Sequence, residues 1–122
     1  FEAPEYSQKG INTFRKILAD GKYISERNFY GSFDGEKLVG VLGIGKTPHI
    51  NFFFVKPEYH RQGIGRKLFE AMLADCNADK ITVNASPYAV MVYEKFGFVQ
   101  ADSEQETDGI RYTPMSMIRA AF

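Results

Sequence analysis

The segment that most constrains the fold runs from Ile50 to Asp75. Ile50-Asn51-Phe52-Phe53-Phe54-Val55 is a run of aromatic and β-branched residues that suits a pleated strand. Past Lys56-Pro57-Glu58-Tyr59-His60-Arg61-Gln62 comes Gly63-Ile64-Gly65, and then Leu68, Phe69, Met72 and Leu73 recur at helical spacing. Glycine lets the backbone turn sharply and puts no side chain between its N–H groups and a ligand. A helix that starts there aims its unpaired first-turn N–H groups and the positive end of its dipole at the same point. The chemistry this favours is binding of a phosphate or diphosphate, although Gly-x-Gly alone also marks ordinary strand-to-helix turns.

A chain of 122 residues is one domain, 1–122, with enough length for a real core. Fifteen basic residues balance fifteen acidic ones, which argues against nucleic acid or a membrane surface as a partner. No apolar run approaches the roughly 20 residues of a membrane span, and no signal segment opens the chain. The single cysteine, Cys76, has no internal disulfide partner, so a reducing, cytoplasmic location is expected. Phe1 is not an initiator methionine, and Phe1-Glu2-Ala3-Pro4 reads as the continuation of something earlier.

Along the chain, Ser7 can cap a helix carrying Ile11, Phe14 and Leu18. Strands are expected at Asn28–Phe33 and Lys37–Gly45, joined by a hairpin at Asp34-Gly35. After the Ile50–Val55 strand and its helix, a short strand is expected at Lys80–Asn84. A second helix follows, with Ser86 as its cap, Pro87 at its first position and Gly97 just past its end. A strand from Phe98 to about Glu106, a turn at Asp108-Gly109 and a last strand from Ile110 to Ile118 complete the chain. Pro114 cannot donate to a ladder, so that last strand is expected at an edge or with a bulge. An edge there could pair between two copies of the chain as a homodimer. The order makes a mixed α/β sheet.

The segment His60-Arg61-Gln62-Gly63-Ile64-Gly65 resembles the acyl-CoA-binding signature of the GCN5-related N-acetyltransferase (GNAT) family, Arg/Gln-x-x-Gly-x-Gly/Ala. Gly63 and Gly65 fall on the family's glycines, and His60 stands where the family has Arg or Gln. The element order is similar to that fold over nearly the whole chain, save the family's first strand. The resemblance implies a mixed, mostly antiparallel sheet with flanking helices, the acyl-CoA N-acyltransferase fold. It implies acetyl-CoA as cosubstrate, held at His60, Arg61, Gln62, Gly63, Ile64, Gly65 and Arg66, with the backbone of Phe53, Phe54 and Val55 pairing with the pantetheine arm.

The stretch Asn84 to Phe98 resembles the family too, with an Asn or Ser, a Tyr seven residues on, and a Gly-Phe beyond. The resemblance implies that Tyr93 is the general acid for the departing thiolate and Ser86 a cofactor contact. Tyrosine, at about 10, can share a proton with a thiolate at about 8.5. Taken alone, Tyr93 reads more readily as a core aromatic whose hydroxyl finds a carbonyl. The acceptor is then a small-molecule or peptide amine. It must be deprotonated, and two candidates for the base stand out without either being assigned. One is His49, which reads more readily as a solvated turn histidine; the other is the alternating series Asp102, Glu104, Glu106 and Asp108, which reads more readily as a solvated hairpin partnered by Arg111.

Other signals are decoys. Gly40-Val41-Leu42-Gly43-Ile44-Gly45-Lys46-Thr47 matches a phosphate-loop pattern, but its spacers are strand-like and Pro48-His49 follows where a helix should start. The third glycine of a dinucleotide fingerprint falls on Leu68. Asn84-Ala85-Ser86 is a sequon spoiled by Pro87, and two histidines are too few for a zinc site. The alternatives to an N-acetyltransferase are a non-catalytic acyl-CoA-binding module and, behind it, a phosphate-loop NTPase.

Overall fold

The computed structural model describes residues 27–119. In chain order these form β1 (Arg27–Asp34), β2 (Lys37–Gly45), β3 (His49–Val55), a 3-10 turn (Pro57–Tyr59) and α1 (Ile64–Asp75). Then come β4 (Lys80–Ala85), α2 (Val90–Lys95), β5 (Val99–Gln100), β6 (Gln105–Thr107) and β7 (Ile110–Ile118). The helix expected after Ser7 lies outside the described residues.

The strands form one mixed sheet in the order β1-β2-β3-β4-β7-β5, with β6 also against β7. Every neighbouring pair is antiparallel except β3 and β4. That parallel pairing joins His49 to Thr82 and Ile50 to Val83, and then stops. Beyond it β3 runs on to Val55 paired only with β2, so the sheet parts in its middle. The parting coincides with an irregularity in β3: Ile44 faces Ile50 but Gly43 faces Phe52, which leaves Asn51 as the extra residue of a bulge.

Residue choice explains the local structure. Gly35, with φ of 63°, takes the left-handed conformation that the β1–β2 hairpin needs. The glycines of β2 serve packing. A Cβ on Gly43 would lie 2.7 Å from the Phe29 ring, and one on Gly40 would lie 3.2 Å from both Ile64 and Leu68 of α1. The phosphate-loop reading fails here, because Lys37–Gly45 is one unbroken strand and Lys46-Thr47 lies in the turn to β3. Helix α1 buries Leu68, Phe69 and Met72 on a core that includes Leu42, Val55, Ile81, Val83, Phe98 and Met115. At its far end the Tyr30 hydroxyl donates to Asp75 at 2.7 Å, tying the last turn of α1 to β1.

Two expectations about the C-terminal part are corrected. The single strand from Phe98 to Glu106 is two short strands separated by a bend, because Asp102 turns its carboxylate back on the chain. It accepts from the Ser103 N–H at 2.8 Å and from Gln105 Nε2 at 3.1 Å. The four acids therefore share no face: Glu104 is in an exposed ion pair with Arg111 at 3.0 Å, and Asp108 sits in the β6–β7 turn with φ of 53°. Nor is β7 an edge strand, since β4 flanks it on one side and β5 and β6 on the other. Pro114 is accommodated because its carbonyl faces Ala101 N–H at 2.8 Å, where the neighbouring strand is interrupted. Its missing donor falls at that interruption and breaks no ladder.

Candidate active site

Between β3 and α1 the chain makes the turn that its glycines require. Arg61 and Gly63 both have positive φ, 66° and 79°, and Gly63 is the N-cap of α1. No side chain caps this helix, so the first-turn N–H groups of Ile64, Gly65 and Arg66 have no side-chain acceptor. A Cβ on Gly63 would meet nothing within 4 Å, so glycine is needed there for backbone conformation and not for space. These residues open on a cavity of about 260 Å³, lined by Val55, Tyr59, His60, Arg61, Gly63, Ile64, Gly65, Arg66 and, across from them on α2, by Val92, Lys95 and Phe96. Among these described residues Arg61, Arg66 and Lys95 supply positive charge and none supplies a carboxylate. Together with the helix terminus this makes a site for an anion. Gln62 is exposed outside the cavity, with its amide turned to the Glu58 carbonyl.

His60 lines the cavity and its Nε2 hydrogen-bonds the carbonyl of Val55 at 2.7 Å. That carbonyl belongs to the unpaired side of β3. The N–H of Lys56 donates to Val39 of β2 and the Phe54 carbonyl lies against Gly40, so alternation turns the backbone groups of Phe53 and Val55 toward the gap beside β4. His60 thus caps the end of an open edge. The Phe54 backbone faces β2.

The gap itself, about 110 Å³, is lined by Ile50, Asn51, Phe52, Phe53 and Phe54 of β3, by Val83 and Asn84 of β4, and by Ser86 and Tyr93. Apart from Gln62, the structure therefore sorts the predicted site residues into two neighbouring cavities along β3, the charged turn at its end and the polar gap at its middle. Tyr93 is 7% exposed and packs edge-on against Phe53 and Phe98, at 6.0 Å and 5.3 Å between ring centroids. The helix expected from Ser86 begins later. Pro87–Ala89 form a turn in which the Ala89 N–H bonds the Ser86 carbonyl, and α2 starts at Val90. Ser86 and Tyr93 share the gap because the chain turns there, not because they lie on one helical face.

The other end of α2 is as expected. Gly97, with φ of 104°, stands where the N–H of Gly97 bonds the Glu94 carbonyl and that of Phe98 bonds the Tyr93 carbonyl, at 3.1 and 3.0 Å. This is a Schellman closure, and it fixes the turn of helix that carries Tyr93. Sequence reasoning did not find Val92, Lys95 and Phe96 in the cavity at the glycine turn, since nothing in their spacing says that α2 faces the turn. Nor did it find the Asn51 bulge, which depends on register with β2.

Comparison with known proteins agrees with this geometry. Residues 2–119 match the acetyltransferase (GNAT) domain family, and the chain belongs to that family of acyltransferases. An uncharacterized N-acetyltransferase of Bacillus subtilis, YitH, is 26% identical over 101 residues, 82% of this chain but 34% of its own length. The chain thus spans about a third of that relative. Among solved structures, a GCN5-related N-acetyltransferase of Rhodopseudomonas palustris superposes with a TM-score of 0.69 at 23% identity, covering 84% of this chain and 71% of that one. A Bacillus subtilis acetyltransferase in complex with CoA gives 0.64 at 20% identity, covering 86% and 84%. At such identities the likeness is one of fold. Among the described residues no helix is long and apolar enough to cross a membrane, and no group of side chains could hold a metal ion.

Proposed function

We propose that this domain moves an acetyl group from acetyl-CoA to a primary amine by direct attack. The observation that carries the reading is the continuity of three features along β3. A cationic cavity at an uncapped helix start stands at its end, an open backbone edge follows, and a buried tyrosine faces the gap. A diphosphate suits the first, an extended amide-bearing arm suits the second, and a thioester suits the third. Arg61, Arg66, Lys95 and the N–H groups of Ile64 to Arg66 would hold the diphosphate. The inward-facing backbone groups of Phe53 and Val55 would pair with the arm, and Ser86 lies beside the thioester position.

In the reaction the amine nitrogen bonds the thioester carbon and the C–S bond breaks, leaving the electron pair on sulfur. Tyr93 gives its phenolic proton to that sulfur, which makes the thiol a better leaving group. Cys76 is partly buried at the end of α1, away from both cavities, so no acyl-enzyme is invoked. The acceptor is a small-molecule or peptide amine, and the site of action is taken to be the cytoplasm.

Thermal unfolding with acetyl-CoA and, separately, with Mg-ATP tests the reading. A ligand at a hundred times its dissociation constant adds about 2.7 kcal/mol, which is readily seen for a domain of this size. Stabilisation by acetyl-CoA but not Mg-ATP is expected. Binding without turnover on any amine would leave a non-catalytic acyl-CoA module, and stabilisation by Mg-ATP alone would overturn the proposal.

A further inference from the structure

The segment leading into the glycine turn is tied down before it gets there. The Lys56 N–H donates to the Val39 carbonyl of β2 at 2.8 Å. The N–H groups of Tyr59 and His60 then close the 3-10 turn on Lys56 and Pro57, at 2.9 and 3.2 Å. Next comes Arg61, whose φ of 66° is costly for a residue with a Cβ. Asp108, the other non-glycine residue with positive φ among those described, is accounted for by its two-residue hairpin turn with Gly109. Arg61 stands in no hairpin. Such a conformation persists only where the surroundings over-determine it.

Two side chains just before Arg61 supply that constraint, and they reach different parts of the sheet. His60 Nε2 bonds the Val55 carbonyl of β3 at 2.7 Å. The Tyr59 hydroxyl donates to Asp34 Oδ2 at 2.6 Å, at the tip of the β1–β2 hairpin. Lys37 pairs with Asp34 across that tip and places Nζ 6.0 Å from the centroid of the Tyr59 ring. The bond to Asp34 holds the phenol above its ordinary 10.0, so it donates at any neutral pH. Tyr59 lines the cationic cavity, whereas Asp34 is absent from its walls.

We propose that the Tyr59–Asp34 hydrogen bond presets the glycine turn for CoA, and that Asp34 is a positioning residue for a cosubstrate it does not touch. The proposal rests on the reading of this cavity as the CoA site. A ligand binds with an apparent affinity reduced by the fraction of molecules already in the competent shape. With the brace in place, Arg61 is held with its guanidinium at the cavity and the N–H groups of Ile64 to Arg66 are presented together. Without it, Arg61 is free to leave the left-handed region, and the turn must be reordered at each binding event.

Charge alone predicts the reverse. Asp34 is an anion behind an anion site, so simple Coulomb repulsion would have CoA bind more tightly once it is gone. The sign of the effect therefore separates the two.

The test is calorimetric titration with CoA of the wild type, Tyr59→Phe, Asp34→Ala, Asp34→Asn and the double variant Tyr59→Phe/Asp34→Ala. Thermal unfolding fixes a temperature at which all five are folded. Tyr59→Phe and Asp34→Ala are each expected to weaken CoA binding roughly five- to tenfold. The double variant should bind no more weakly than either single one, because all three lack the same bond. Asp34→Asn keeps an acceptor oxygen for the phenol and loses the charge, so it should bind CoA at least as well as the wild type. Unchanged or tighter binding by Asp34→Ala, beside a lowered melting temperature, would make the brace merely structural and overturn the proposal while leaving the CoA reading intact. Additive losses in the double variant would also overturn it. A wild type that does not bind CoA would overturn the reading of the cavity and the proposal together.

Discussion

The Phe98 N–H donates to the Tyr93 carbonyl at 3.0 Å while the two rings meet edge-on at 5.3 Å, so one residue holds the other by backbone and side chain together. The closure depends on Gly97, whose φ of 104° lies where an L side chain is strained. A Cβ there would pass 3.8 Å from Met117 Sδ, an ordinary contact, so the cost of substitution is conformational. Gly97→Ala is expected to destabilise the domain by about 1–2 kcal/mol. Urea unfolding measures it, and an unchanged midpoint would mean that the helix end is free to relax.

Tyr93→Phe keeps the ring packing and removes the hydroxyl. Turnover should fall about a hundredfold while CoA affinity stays within a factor of two or so, since the hydroxyl acts on the leaving group and not on ground-state binding. Equal kcat values for the two proteins would strike out the general acid.

At Gly63 the obstacle to a side chain is again φ, here 79°, with open space around the position. Gly63→Val should force the turn to rearrange, at a cost of about 1–2 kcal/mol, and weaken CoA binding by about tenfold. Calorimetric titration with CoA checks this. Undiminished affinity would show that the diphosphate does not lie on this turn.

Tyr30 carries a pH signature in stability. Burial first, and then its hydrogen bond to Asp75, raise the phenol from 10.0 to about 12. Because the folded-state value is the higher one, the contribution is complete below pH 10 and is lost as the pH climbs toward about 12. Tyr30→Phe should flatten the alkaline limb of a stability–pH curve. A mutant curve parallel to wild type would contradict a contribution from the Tyr30–Asp75 hydrogen bond.

His49 gives the converse case. Its folded-state pKa is below 6.5, so the unfolded chain takes up a proton first and stability falls as the pH drops beneath 6.5. His49→Gln should lose less stability on acidification than the wild type, as read by urea titration on either side of that value.

What could be read from the sequence were features set by residues close together in the chain. The Gly63 turn, α1, the hairpin at Gly35 and the Gly97 closure each need a particular backbone conformation or a local hydrophobic period, and the residues that supply it are adjacent. The single strand from Phe98 was misread because its alternation looked extended, while Asp102 had two partners within three residues that favoured a bend. The late start of α2 has the same origin, a local turn at Pro87–Ala89 in place of a capped helix. The strand position of Pro114 was misread for another reason: whether its neighbour is interrupted depends on a strand more than ten residues away. Lys95 and Phe96 in the cavity, and Asn51 as a bulge, are likewise products of register and of how α2 packs, to which local spacing is blind.

The early end of the β3–β4 pairing makes the middle of this sheet behave like a boundary. The amides of Phe53 and Val55 lie between two halves of a continuous sheet but have no strand partner on the β4 side. Amide hydrogens of a central strand ordinarily exchange only with global unfolding. These two should exchange at rates typical of a sheet's rim, while those of Phe52 and Phe54, facing β2, stay protected. Occupation of the gap by any extended ligand would then appear first at Phe53 and Val55, as slowed isotope uptake at two alternate positions of one strand.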